Sequence, residues 1–324
     1  MSNLLFTPTN NEYTVFTANS NPRIVEFCDK IEAGFWLSNS VNLTIDDKEW
    51  DTKLNDTERD YIKQILAFFA ASDAIVNKNI CLSFIDKVTV PEVKSFYYAQ
   101  MFQEAVHSRT YSNLITTFIK DKQEQNKLFD SVNTHSIIKK KADWCNKWMG
   151  KDNTFFESLI AFLSVEGIFF SSSFASIFWL RNRGILANSL GVANEYISND
   201  ECTHAEFAGF LYKEYGLDEI SKETIKDIII DATELEKEFV ECILPDKLSG
   251  MNKDLMKQYV EFVADMWLKS LINETQYNVS NPFTFMSTIG IAGKDNFFEK
   301  SRTNYTHETE QKDNNSYDDL DLED

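Results

Sequence analysis

Residues 103–114 read QEAVHSRTYSNL, and this stretch places Glu104 three positions before His107. The same Glu-x-x-His pattern recurs in the segment DECTH, where Glu201 precedes His204. Side chains three or four residues apart lie on one face of an α-helix, so each copy directs a carboxylate and an imidazole toward one point. Two such points that face each other predict a site for two metal ions.

Two further acids meet the other requirement of such a site. In a helical bundle, a di-metal carboxylate site takes one carboxylate from each of two helices and Glu-x-x-His from each of two others. Asp73 and Glu166 are each the sole charged residue in an apolar helical stretch. An unpaired buried carboxylate is costly, and metal coordination removes that cost. Alone, either acid could be hydrogen-bonded inside a core, and a single Glu-x-x-His is usually solvent-facing; the conjunction favours the metal site.

The predicted ligand set consists of four carboxylates and two imidazoles. Hard oxygen ligands with some imidazole suit iron or manganese, whereas structural zinc prefers four tight ligands that often include thiolate. The set has no thiolate, which excludes an iron–sulfur cluster as its occupant. We therefore expect two iron ions, with manganese as the alternative, and redox chemistry rather than hydrolysis. The predicted ligands are Asp73, Glu104, His107, Glu166, Glu201 and His204.

Tyr111 follows His107 by one helical turn, so its phenol is expected within a few ångströms of the metal pair. A buried tyrosine beside an oxidising metal centre can lose an electron and a proton, and the radical survives if water is excluded. Phe170 and Phe174 follow Glu166 by one and two turns and are candidates to wall the phenol. The alternative is a core tyrosine with a hydrogen-bond partner.

The composition predicts an all-α protein. Only 10 Gly and 5 Pro among 324 residues leave little turn punctuation, and no convincing strand alternation occurs. We expect an irregular N-terminal arm (1–22), a ferritin-like helical domain (23–285) and a flexible acidic C-terminal tail (286–324). The predicted helices cover residues 23–33, 55–87, 91–120, 122–131, 136–149, 153–181, 184–211, 218–245 and 252–275.

Charge and cysteine usage narrow the class of protein. A formal net charge of −19 argues against nucleic-acid binding and against docking on an anionic membrane. Eighteen apolar residues never follow one another without interruption, so no membrane span is expected, and no signal peptide is recognisable. Five scattered cysteines without a C-x-x-C motif favour a reducing cytoplasm over a disulfide framework.

Two expectations concern residues outside the predicted centre. His135 and His307 belong to no ligand pattern, and both are expected at the surface. With 14% aromatic residues, a bundle of long helices is expected to leave apolar surface through which the protein forms a homodimer.

These residues resemble the radical-generating small (β) subunit of class I ribonucleotide reductase over most of the sequence, from residue 23 to residue 305. The segments that carry the resemblance are FFAASDAIV around Asp73, QEAVHSRTYSNL, SVEGIFFSSSF around Glu166, NEYISNDECTHAEFA, and NPFTFMSTIGIAGKDNFFEK at 281–300. The resemblance implies the same six metal ligands that the spacing selects, and it implies that Tyr111 is the radical tyrosine.

The resemblance also implies residues that spacing does not select. Trp36 and Asp200 would belong to a hydrogen-bonded chain that leads from a metal-bound histidine toward the surface, and Tyr305 would be the relay tyrosine of the tail. Tyr317 is a second candidate for that relay. The C-terminus would bind the large catalytic subunit, although YDDLDLED lacks the final aromatic residue common in family tails.

The expected function is therefore O2-dependent formation of a Tyr111 radical, which is passed to the large subunit for reduction of ribonucleotides. The protein alone should be inactive toward nucleotides, and no Gly-rich phosphate loop is present in it. One alternative is an oxidase or desaturase of the same fold that acts on an aliphatic substrate. Another is a ferritin-type iron-handling protein, which would need neither Tyr111 nor a partner tail.

Overall fold

The computed structural model of this protein describes residues 4–7, 16–17, 20–150, 152–246, 248 and 250–288. The side chains of residues 73–75, 77–79, 81–83 and 287–288 are outside this description. Helices form all the extended regular structure in the described ranges, where the single β-bridge joins Leu248 and Met251. The prediction of an all-α protein is confirmed. The predictions for Tyr305, Tyr317, His307 and most of the 286–324 tail lie outside the described residues.

Two π-helical segments, Ile80–Ile85 and Val165–Phe169, extend or interrupt the helices. In sequence order the helices are α1 (Pro22–Ala33), α2 (Asp47–Thr52), α3 (Asp56–Asn79), α4 (Pro91–Phe118), α5 (Lys122–Phe129), α6 (Ser131–Thr134), α7 (Ser136–Trp148), α8 (Phe155–Ser164), α9 (Ser171–Asn182), α10 (Leu190–Tyr215), α11 (Lys222–Ile243), α12 (Lys253–Ile272) and α13 (Thr284–Thr288).

Local sequence explains where the long helices begin. Pro91 occupies the first turn of α4, where its missing N–H is not needed. Thr154 and Glu157 form a reciprocal capping box at the start of α8. Ser221 and Asn252 accept hydrogen bonds from the first turns of α11 and α12. These caps satisfy backbone N–H groups that have no partner inside a helix.

Four helices, α3, α4, α8 and α10, surround the centre of the bundle. α3 packs against α4, α8 packs against α10, and α4 contacts α10. α11 covers α8, α12 packs against α11, and α1 lies against α4 and α10. The buried apolar side chains of these helices form one continuous core. The helices predicted to carry metal ligands are thus the ones that enclose the core.

The predicted helix 153–181 is interrupted at its centre. Val165–Phe169 is π-helical and separates α8 from α9, and Glu166 lies within it. π-Segments of this kind often mark functional sites, because the wider turn redirects a side chain. Gly167 allows close packing here, since a Cβ atom at this position would lie 2.4 Å from Nε1 of Trp267. Hydrophobic periodicity alone does not distinguish this segment from an α-helix.

The predicted start of the helix at residue 184 is wrong, because α10 begins at Leu190. Gly184 and Leu186 adopt positive φ angles of 67° and 49°, in the turn that follows α9. Asp46 accepts hydrogen bonds from the backbone N–H groups of Asn188 and Ser189, at 2.7 and 2.9 Å. These contacts join segments more than 140 positions apart in the sequence, and α2, beside Asp46, is likewise absent from the sequence-based prediction.

One described helical stretch, Phe155–Asn182, is long and apolar enough to cross a bilayer. It includes the π-helical segment, and 94% of its most apolar window is buried inside the protein. The apolar character of this stretch is therefore accounted for by its position in the core.

A buried ion pair fixes the end of the π-helical segment that carries Glu166. Lys141 Nζ lies 2.5 Å from Glu236 Oε2, and both side chains are almost fully buried. Lys141 also donates to the carbonyl oxygen of Phe169 at 3.1 Å, and Ser172 donates to Glu236. Burial lowers the pKa of Lys141 and raises the pKa of Glu236, and their mutual attraction opposes both shifts.

We predict that Lys141→Met lowers the free energy of unfolding by about 3–5 kcal/mol, because Glu236 remains buried without its partner. The double variant with Glu236→Leu should recover most of that loss. Denaturant unfolding of the metal-free variants measures both effects. Lys140→Met is the matched control: Lys140 pairs with Glu238 at the surface, and its loss should cost less than about 1 kcal/mol. Strictly additive losses in the double variant would contradict the pairing.

Candidate metal centre

Three carboxylates and one imidazole meet in the core of the bundle. Glu104 comes from α4, Glu166 from the π-helical segment, and Glu201 and His204 from α10. Each of these residues offers a ligand atom, and the four atoms all lie within 4.8 Å of one another. All four side chains are buried, with Glu104 fully enclosed. The structure therefore brings together residues that are far apart in the sequence.

The two Glu-x-x-His motifs face each other. His204 Nδ1 lies 3.1 Å from Glu104 Oε1 and 2.9 Å from Glu201 Oε2. His107 Nδ1 lies 3.0 Å from Glu201 Oε1 and 3.4 Å from Glu104 Oε2. Each imidazole thus directs Nδ1 between the carboxylates of both motifs. This is the convergence that helical spacing predicts.

The carboxylates and imidazoles of this cluster shift one another's pKa values. Burial alone lowers the pKa of His107, but the Glu201 carboxylate and hydrogen bonds to Asp200 and Glu104 hold that pKa well above its usual value. For His204, burial again lowers the pKa, while Glu104 and Glu201 raise it to about 9. Burial raises the pKa of Glu201, but His107 and further hydrogen bonds hold it below its usual range. These shifts favour the charged forms of both imidazoles and of the Glu201 carboxylate.

The donor set fits metal cations. Carboxylate oxygens and imidazole nitrogens are ligands that suit iron and manganese, and bound cations stabilise buried carboxylates without requiring protonated histidines. Glu104, Glu166, Glu201, His107 and His204 are positioned to hold such ions.

The sixth predicted ligand, Asp73, belongs to α3, which packs against α4. The backbone of this helix thus lies beside the helix that carries Glu104 and His107. The Asp73 side chain is outside the described part of the structure, so its role as a ligand stays a prediction.

Tyr111 lies on α4 one turn beyond His107 and is buried in an aromatic environment. Its ring stacks on Phe69 with centroids 4.6 Å apart. Phe69 in turn packs on Phe170 and Phe174, at 5.7 and 5.2 Å. Phe69 therefore provides the stacking contact on Tyr111, whereas Phe170 and Phe174, the predicted wall residues, pack on Phe69. The sequence contains a signal for it, because Phe69 lies one helical turn before the isolated acid of α3.

A hydrogen-bonded chain leads away from His107. His107 Nε2 lies 3.1 Å from Asp200 Oδ2, and Trp36 Nε1 donates to the same oxygen at 2.7 Å. The Trp36 ring also stacks on His107, with centroids 5.8 Å apart. Trp36 is in the loop after α1 and is the most exposed of the three residues, at 7%. The structure thus connects them in the order that the family resemblance implies.

Gln103, which the sequence patterns do not select, contacts the other histidine. Its Oε1 atom lies 2.8 Å from His204 Nε2. The sequence contains one signal for this role. Gln103 immediately precedes Glu104, just as Asp200 immediately precedes Glu201, so the two residues occupy equivalent positions in the two motifs.

His135, which we expect at the surface, is half-buried in the structure and lies outside the metal cluster. Burial lowers its pKa. Its exclusion from the ligand set agrees with the sequence pattern, whereas its partial burial does not follow from that pattern.

Comparison with known proteins gives a consistent result. The family model described as ribonucleotide reductase, small chain, matches residues 14–282. The sequence is 50% identical over 272 residues to the ribonucleoside-diphosphate reductase subunit M2 of Danio rerio, spanning 84% of this protein and 70% of that one. It is also 46% identical over 296 residues to the ribonucleoside-diphosphate reductase small chain of vaccinia virus (strain Ankara), spanning 91% and 92%.

The fold agrees with a solved structure as well. The ribonucleotide reductase Rnr4 homodimer from Saccharomyces cerevisiae matches with a TM-score of 0.80 at 33% identity, spanning 88% of this chain and 89% of that one. This match confirms the predicted ferritin-like helical bundle. Since the family model and the relatives span most of the sequence, the chain belongs to the family of ribonucleotide reductase small chains.

Proposed function

We propose that this protein generates a stable radical on Tyr111 with O2 and two bound metal ions, and that the radical is relayed to the large subunit of a ribonucleotide reductase. The observation that carries the proposal is the convergence of Glu104, Glu166, Glu201 and His204 in the core, where Tyr111 lies one helical turn beyond His107. Membership of the small-chain family supports the same activity.

The metal pair would be held by the six predicted ligands, Asp73 among them. When bound, it would supply the oxidising power that removes an electron from the phenol. Two iron ions are our proposal, with manganese as the alternative, because both metals accept this donor set. The carboxylates of Glu104, Glu166 and Glu201 would hold the ions together with the Nδ1 atoms of His107 and His204.

The protein's contribution at Tyr111 is to exclude water and reductants. The phenol must lose a proton together with its electron, and the resulting radical persists only in a dry surrounding. Tyr111 is 2% exposed, and Phe69 covers one face of its ring. Phe170 and Phe174 pack against Phe69. This packing supports the formation of a long-lived radical.

The relay would begin at His107 and proceed through Asp200 to Trp36. The 2.7 Å and 3.1 Å contacts at Asp200 Oδ2 support this order, because they connect a core histidine to a tryptophan near the surface. Beyond Trp36, Tyr305 or Tyr317 of the C-terminal tail would pass the radical to the large subunit.

Ribonucleotide reduction would then occur on that large subunit, in the cytoplasm. The four cysteines whose side chains are described are Cys28, Cys145, Cys202 and Cys242, and they form no disulfide. Cysteines that are not joined in disulfides agree with a reducing compartment.

A ferritin-like oxidase or desaturase is the second candidate, and it requires a pocket for an aliphatic substrate near the metals. Among the described residues, the cavity beside Glu166 and Glu201 measures about 40 Å³. Cys202, Tyr259 and Trp267 also line it. Ligand pockets typically measure about 300 Å³ or more. This cavity is too small for an aliphatic substrate.

We also infer a homodimer, and we assign its contact to an apolar surface at the outer face of α4. Phe35 and Phe102 stack there with centroids 5.1 Å apart, although 45% and 44% of these side chains are exposed. Leu37, two positions after Phe35, and Tyr98, one helical turn before Phe102, are also exposed, at 45% and 57%. Clustered exposed aromatic residues mark interaction surfaces. The yeast relative, whose structure is that of a homodimer, supports a second copy of this protein as the partner on this surface.

Tyr111→Phe should abolish the tyrosyl signal in the electron paramagnetic resonance spectrum after metal-free protein is loaded with Fe(II) and exposed to O2. The phenylalanine ring lacks the hydroxyl that must be oxidised. Tyr97→Phe is the matched control, because Tyr97 is a buried tyrosine on the same helix, and its signal should equal that of the wild type. A signal that persists in Tyr111→Phe, or its absence from the wild type with iron and manganese alike, would refute the proposal.

Trp36→Phe should eliminate nucleotide reduction with the large subunit while the protein still binds two metal ions. Phenylalanine is much harder to oxidise than tryptophan and cannot donate a hydrogen bond to Asp200. Trp50→Phe provides the control, since Trp50 is also buried and stacks on Phe118 away from the relay. Turnover measurements on the reconstituted two-subunit enzyme test this, and normal turnover of Trp36→Phe would exclude Trp36 from the relay.

Phe102→Asp should convert the homodimer to a monomer, because a charge would enter the proposed apolar contact. Phe129→Asp serves as the control: Phe129 is equally exposed, at 43%, but lies at the end of α5. Analytical ultracentrifugation at matched protein concentrations gives the oligomeric state. A dimeric Phe102→Asp variant would show that the contact lies elsewhere.

A further inference from the structure

The two histidines of the metal centre have different hydrogen-bond partners behind them. Both imidazoles direct Nδ1 into the carboxylate cluster and Nε2 away from it. The Nε2 atom of His107 meets the carboxylate of Asp200 at 3.1 Å. The Nε2 atom of His204 meets the neutral amide of Gln103 at 2.8 Å. The two contacts thus have similar geometry, but the partner of His107 is a carboxylate and the partner of His204 is a neutral amide.

Each partner residue lies next to one Glu-x-x-His motif in the sequence and contacts the histidine of the other motif. Gln103 precedes the α4 motif and reaches the histidine of α10, while Asp200 precedes the α10 motif and reaches the histidine of α4. Both partners are buried, at 4% and 1% exposed. The two contacts therefore correspond in position and differ in the charge of the partner.

The orientation of Gln103 is set by a second contact. Its amide nitrogen lies 3.5 Å from the carbonyl oxygen of Ile31 in α1, so the amide oxygen is the atom that faces His204. That oxygen can accept a hydrogen bond from the Nε2–H group, which leaves Nδ1 of His204 available as a ligand. Gln103 therefore selects the correct tautomer without adding negative charge.

A carboxylate partner strengthens an imidazole ligand more than an amide does. A hydrogen bond to an ionised acceptor is about twice as strong as a neutral one, and it makes the imidazole a more basic ligand. Asp200 also places its negative charge near the ion bound by His107. The ion at His107 should consequently be held more tightly than the ion at His204.

We propose that Gln103 and Asp200 are paired positioning residues that make the two metal sites unequal, so that the site at His107 fills first and the site at His204 fills second. This inference rests on the metal-binding part of the proposed function. It assigns to Gln103 a role in setting the affinity of the second site.

The test is an anaerobic titration of the metal-free, full-length protein with Mn(II) alone, in which the resonance of free Mn(II) measures binding. The wild type should bind two ions per protomer in two resolved steps. Gln103→Met, which removes the acceptor, should weaken the second step by about 10–100-fold and leave the first unchanged. Asp200→Asn should weaken the first step by a similar factor. Gln103→Glu should strengthen the second step by about tenfold, so that the steps approach each other.

The control is Gln125→Met, since Gln125 is also a buried glutamine but bonds to the Ile119 carbonyl away from the metals. Circular dichroism of each metal-free variant checks its fold, and Gln103→Met decides the question if Gln103→Glu does not fold. Equal effects of Gln103→Met and Asp200→Asn on the same step, or no effect of Gln103→Met, would overturn the inference alone. Fewer than two bound ions in the wild type would overturn the metal-binding proposal and this inference with it.

Discussion

The burial of several carboxylates at one point is the constraint on which the rest of the structure depends. Glu104, Glu166 and Glu201 are at most 3% exposed, and their oxygens share a space only a few ångströms wide. Carboxylates held this close without water are unfavourable unless positive charge lies between them. The Nδ1 atoms of His107 and His204 lie 2.9–3.4 Å from the carboxylate oxygens of Glu104 and Glu201, and two metal cations would provide the positive charge. The fold is therefore arranged around a charge that the apolar core alone could not tolerate.

The surrounding helices meet this constraint by fixing each ligand from a rigid element. The ligands of α4 and α10 project from long helices, and the wider turn of the π-helical segment carries Glu166. Lys141 reaches from α7 to the carbonyl oxygen at the end of that segment and is itself anchored by Glu236. Phe69 stacks on the ring of Tyr111, which is 2% exposed, one helical turn beyond His107. Residues of several helices thus position the carboxylates and imidazoles of the metal centre.

Much of this arrangement can be predicted from the sequence, because helical spacing relates residues that share a face. Two Glu-x-x-His copies and the isolated Glu166 are sufficient to predict convergence on one point. The interruption of 153–181 and the delayed start of α10 are not predictable, since a π-turn and the hydrogen bonds of Asp46 depend on tertiary contacts. Gln103 escapes prediction for a related reason: its target is an imidazole on another helix, and no spacing within one helix identifies such a partner.

X-ray diffraction from crystals grown with Mn(II), recorded with anomalous scattering from manganese, tests the central claim most directly. The protein should show two anomalous peaks between α4 and α10, each next to the Nδ1 atom of one histidine, with Glu104, Glu166 and Glu201 around them. Asp73 should complete the set from α3. A single peak, or peaks bound by other residues while the glutamates remain paired with protonated histidines, would contradict the assignment of this cluster as a two-metal centre.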